Sequence, residues 1–106
     1  MASGRNINKF EVTGLTPVKA DKVNAPYVEE FPMVLECRVI HTFEIGLHTQ
    51  FIGEILDVKV DEAMLRDNGL PDMVKLAPFL YAAENQTYHG VSGHIGNAFN
   101  MGKALT

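Results

Sequence analysis

The chain has 106 residues, enough for one small domain with a modest core. Hydrophobic residues make up 46% and charged residues 21%, a globular composition that argues against disorder. Nine Lys+Arg against 13 Asp+Glu give a formal charge of -4, with no clustered basic face to suit nucleic acid, and no apolar run approaches the ~20 residues that cross a bilayer.

In chain order, residues 6 to 14 come first, with Ile7, Phe10 and Val12 at roughly helical spacing and Gly14 placed as a stop. A short helix is expected there. Residues 15 to 32 carry Pro17, Pro26 and Pro32 and read as an extended connection. Met33 to Phe43 and His48 to Val60 are rich in β-branched and apolar residues and are joined by Glu44-Ile45-Gly46-Leu47, which predicts an antiparallel hairpin. Strict alternation puts Val34, Glu36, Arg38 and Ile40 on one face of the first strand and Leu35, Cys37, Val39 and His41 on the other. Neither face is cleanly polar, so both are expected to be covered in part. Gly53 inside the second strand points to a bulge or a close backbone approach.

Asp61 to Arg66 reads as a short helix capped by Asp61, Asn68-Gly69-Leu70-Pro71 as a loop, and Asp72 to Leu76 as a further helical turn. Pro78 to Ala82 and Gln86 to Gly90 suit two short strands, and Ile95 to Leu105 a final helix. The fold class is therefore mainly β with short helices, treated as a single domain over residues 1–106.

The chemistry-bearing residues are few. Ser3-Gly4-Arg5, with Lys9 one turn on, suits an anion: glycine admits backbone N–H groups to a ligand, Arg5 can bind phosphate bidentately and Lys9 adds a point charge. The plain alternative is a capped helix behind a solvated terminus. The histidines His41, His48, His89 and His94 lack the spacing of a metal site. Gly90-Val91-Ser92-Gly93-His94-Ile95-Gly96 resembles a phosphate loop only superficially and reads as a turn into the last helix. Cys37, the single cysteine, excludes an internal disulfide or a cysteine-built zinc site and is expected to be an inert core thiol. With no apolar leader sequence at the N-terminus, the expected compartment is the cytoplasm.

Taken in order, these motifs acquire a meaning. Ser3-Gly4-Arg5 with Lys9-Phe10, then Thr13-Gly14-Leu15-Thr16-Pro17-Val18, then Ala25-Pro26 and Pro32 with Leu35-Glu36-Cys37-Arg38-Val39, resemble the flavoredoxin branch of the flavin reductase-like family. Gly46 to Ile55, Tyr88 with Gly90, and Gly93 to Phe99 continue the likeness. The resemblance implies an FMN-binding split β-barrel, a homodimer, and electron transfer between NADH or NADPH, flavin and an acceptor. It begins partway through the family pattern, which makes this chain the expected C-terminal portion of such a barrel. Carried over by position, it implies that Ser3, Gly4, Arg5 and Lys9 lie near the flavin phosphate and ribityl chain. His48 matches a histidine on the nicotinamide side, with Leu47 where the family has aspartate, and Tyr88 falls where an aromatic residue approaches the isoalloxazine ring. No side chain is required as a general acid or base, since the cofactor carries the redox chemistry. The alternative is a β-domain that acts through dimerisation or partner association without binding flavin.

Overall fold

The computed structural model describes residues 7–99 and Gly102; Ser3, Gly4 and Arg5 lie outside the described residues. Contacts divide the chain after Glu62 into two units. Among the described residues the strands form three separate two-stranded antiparallel ribbons, and no barrel closes.

In the first unit, helix α1 (Lys9–Thr13) is only five residues long. Asn8 caps its start by accepting from the N–H groups of Phe10 and Glu11, and Gly14 ends it at φ 75, where a side chain would be strained. Strands β1 (Pro17–Lys19) and β2 (Pro26–Val28) then pair where the sequence suggested a featureless connection. Each begins with a proline, the strand position that least needs an N–H donor. The loop closing them buries Ala20, the only buried hydrophobic residue among those described.

Strands β3 (Met33–Ile45) and β4 (His48–Val60) form the expected hairpin, turned by Gly46 and Leu47 with Gly46 at φ 58. Two bulges interrupt it. Leu56 is left over between the pairs Glu36–Asp57 and Cys37–Ile55, and Ile40 between Val39–Gly53 and His41–Ile52. The second bulge corrects the face assignment read from strict alternation, since it moves His41 to the side of Glu36 and Arg38. Through the register, Leu35, Cys37, Val39, Phe51, Gly53, Ile55 and Val58 share one apolar face. The opposite face carries Glu36, Arg38, Glu54, Asp57 and Lys59. Cys37 is exposed rather than a core thiol, because no second layer covers its face among the described residues.

Gly53 is explained by a close approach: a Cβ there would stand 3.3 Å from the Cβ of Cys37. Gly53→Val is therefore expected to cost about 1–3 kcal/mol, read as a lower urea midpoint. An unchanged midpoint would remove the steric account.

In place of the helix expected over Asp61 to Arg66 stands a shorter 3-10 turn over Glu62–Met64, and the Asp61 N–H extends the sheet by donating to the Pro32 carbonyl at 3.0 Å. In the second unit, helix α2 (Met73–Leu76) is capped by Asp72, whose carboxylate accepts from the N–H groups of Val74 and Lys75. Strands β5 (Phe79–Ala82) and β6 (Thr87–Gly90) form where two short strands were expected, and the structure pairs them antiparallel. The final helix does not form over residues 95–99: Phe99 takes φ 67, which breaks a right-handed helix. The remainder of that expected helix, apart from Gly102, lies outside the described residues.

Candidate functional site

The strongest electrostatic feature of the first unit is an ion cluster on the polar face of β3–β4. Lys59 reaches Asp21 at 2.8 Å, Glu36 at 2.6 Å and Asp57 at 2.5 Å. The Glu36 side chain is fully buried and also accepts from the Lys22 N–H at 2.7 Å. These bonds hold the Glu36 carboxyl below its ordinary value of 4.5, Lys59 contributing most and the Lys22 N–H next. Asp57 is held below 3.8 chiefly by Lys59. The three carboxylates in turn raise the Lys59 ammonium above the ordinary lysine range. Although Asp21, Glu36 and Asp57 bring carboxylate oxygens within 4.8 Å of one another, the ammonium of Lys59 already stands among them as their counter-ion. The cluster ties the β1–β2 loop to the hairpin. Sequence reasoning missed it, although a glutamate in the apolar first half of β3 and Asp57 and Lys59 two apart on one face of β4 were its available signs.

Of the residues expected at a ligand site, Lys9 opens α1 and is exposed, and it enters no salt bridge among the described residues. The helix itself offers little to an anion, because Asn8 already engages the N–H groups of Phe10 and Glu11. His48 is the first residue of β4, exposed beside the hairpin turn and paired with Ile45. No hydrogen bond or ion pair joins Lys9 to His48 among the described residues.

Tyr88, in the second unit, sits in an aromatic cluster on β5–β6. It stands opposite Tyr81 with ring centroids 5.2 Å apart, and it meets Phe79 edge-on at 5.3 Å and 88°. On the other side of this ribbon His89 shares a 2.9 Å hydrogen bond with the Thr87 hydroxyl. Exposed clustered rings of this kind suit a planar aromatic ligand. No helix among the described residues is long and apolar enough to cross a membrane.

Residues 1–90 match the family model for the flavin reductase like domain. Among solved structures, the chain is similar to the flavoredoxin of Desulfovibrio vulgaris (Miyazaki F), with 51% identity and a TM-score of 0.87, over 97% of this chain and 55% of that one. It is similar to the flavoredoxin of Methanosarcina acetivorans at 30% identity and the same TM-score of 0.87, over 100% of this chain and 55% of that one. A split-barrel-domain protein from Shewanella frigidimarina, at 22% identity and a TM-score of 0.71 over 93% of this chain and 50% of that one, shares the fold. The chain thus spans about half the length of these solved relatives.

Proposed function

The chain belongs to the flavin reductase-like family, and from that premise we propose that it is the flavin-contacting part of an FMN-dependent oxidoreductase or electron carrier of the cytoplasm. The observation that carries this reading is the 51% identity to a flavoredoxin along nearly the whole chain at a TM-score of 0.87. When bound, FMN supplies the hydride and single-electron chemistry, and the protein's part is binding and orientation. Arg5 and Lys9 are assigned to the phosphate, where two cations offset its charge, and Ser3 and Gly4 offer a hydroxyl and an unhindered backbone N–H. Tyr88 is assigned to one face of the isoalloxazine ring. His48, exposed at the hairpin turn, is assigned to the nicotinamide side, with NADH or NADPH as donor. The active form is proposed to be a homodimer.

The test is FMN titration of the purified chain, followed by visible absorption. A saturable change in the flavin band is expected, and Lys9→Ala is expected to weaken FMN about tenfold while leaving riboflavin unchanged. A colourless protein that leaves the FMN spectrum unperturbed overturns the reading for this chain. Oxidation of NADH or NADPH in the presence of FMN then separates a reductase from a pure electron carrier. A second reading, partner association without flavin, is favoured by the open apolar face of β3–β4, where Leu35, Val39, Phe51, Ile55 and Val58 are all exposed.

A further inference from the structure

Gly90 is a glycine that its backbone does not require. Its φ is outside the left-handed region, unlike those of Gly14, Gly46 and Gly69. It lies in strand β6, where glycine costs conformational entropy and contributes no side chain to packing. Gly53, the other strand glycine with ordinary backbone, is explained by the Cβ of Cys37 close against it. Around Gly90 no described atom other than those of Gly90 and its two chain neighbours lies within 4 Å of the position a Cβ would take. The space a side chain would fill is open.

The register shows what borders that space. Gly90 pairs with Phe79 and Tyr88 with Tyr81, so all four lie on one face of the ribbon. An open depression of about 450 Å³ borders Phe79, Tyr88 and Gly90, with His89, the residue between Tyr88 and Gly90 on β6, completing its edge. Phe79 and Tyr88 are 69% and 68% exposed, so a ligand can reach both rings. They stand at 88° to each other, so a planar ring stacked on one meets the other edge-on, and both arrangements are favourable. A side chain at position 90 would occupy the place of that ring.

We infer that Phe79, Tyr88 and Gly90 form a slot for a planar heteroaromatic ring, with Gly90 as the residue that keeps it open. On the flavin reading, upon which this assignment rests, the ring is the isoalloxazine. Phe79 and Gly90 then join Tyr88 as determinants of affinity for the ring rather than for the phosphate.

The experiment compares riboflavin and FMN binding, by quenching of flavin fluorescence, in the unaltered chain, Gly90→Val, Phe79→Leu and Leu80→Ala. Leu80 pairs with His89 on the opposite face and serves as the control. Gly90→Val is expected to weaken both flavins by the same factor, tenfold or more, and Phe79→Leu to weaken both and reduce the quenching. Leu80→Ala is expected to change neither. Far-UV circular dichroism checks folding, and Phe79→Leu decides the matter if Gly90→Val fails to fold. If the unaltered chain binds FMN and the slot variants bind it equally well, the slot is wrong and the flavin reading stands. If Gly90→Val changes the sedimentation of the chain and not its flavin affinity, the occupant is protein and the inference falls. Absence of FMN binding by the unaltered chain overturns both.

Discussion

Lys59→Met is expected to be the most damaging single substitution in the first unit. Methionine keeps much of the lysine stem's bulk, so the loss isolates the charge. Without the ammonium, Asp21, Glu36 and Asp57 keep their carboxylates together with nothing to neutralise them, and Glu36 is the most buried side chain among the described residues. Removing one partner of a buried charge group is far more destructive than replacing the whole group, because the remaining charge stays desolvated. Hydrogen exchange is expected to show lost protection at the β1–β2 loop and at the base of β3–β4, with the Gly46 turn less affected. Lys59→Met combined with Glu36→Gln is expected to recover part of the loss, since the buried member is then neutral. Equal stability of Lys59→Met and the unaltered chain would show that the cluster holds nothing together.

The same cluster fixes a pH window. Glu36 and Asp57 have folded values below 4.5 and 3.8, so their contribution is complete above those ordinary values and is lost as pH falls through the lowered ones. Lys59 is shifted the other way: its contribution is complete below 10.5 and is lost only as pH rises through its raised folded value. Stability contributed by the cluster should therefore be flat from about pH 5 to 10 and fall on the acid side first. In Lys59→Met the acid limb should flatten or reverse, because protonating Glu36 then relieves repulsion.

The hairpin was legible because two long β-branched segments flank a short glycine-containing connection, and local pattern and turn chemistry agree there. Its faces were not. A bulge adds one residue without a mark in hydrophobic alternation, and the extra residue at Ile40 was enough to put His41 on the wrong side. Cys37 illustrates a related failure. Apolar neighbours predict burial only when a second layer is present, and the described residues supply none for that face. At the proposed flavin site, Arg5 and Lys9 are legible because two cations one turn apart beside a glycine suit an anion. In the sequence Gly90 is merely the start of a glycine-rich turn. What distinguishes it, an ordinary φ and an empty space beside two rings at right angles, exists only in three dimensions.

The unaltered chain is expected to sediment as a dimer or larger species, and Ile55→Lys to return it toward its 11.7 kDa monomer mass. A standard interface removes about 800 Å² from each partner. The apolar face of β3–β4 is where that burial is most favourable. Leu35, Val39, Phe51, Ile55 and Val58 lie there together, whereas the opposite face holds the Arg38–Glu54 ion pair and the Lys59 cluster, which lose hydration if covered. Ile55 stands beside Cys37 in the register, so a lysine there must bury its charge or keep a second copy away. Ile55→Val preserves the apolar surface and should leave sedimentation unchanged, which separates a charge effect from a packing effect. A folded chain that sediments at its monomer mass across all concentrations would sink this assignment. Association that survives Ile55→Lys would move the contact to another surface. The two-stranded β3–β4 ribbon has both long edges unpaired among the described residues, so addition of strands from a second copy would satisfy backbone groups as well as cover the apolar face.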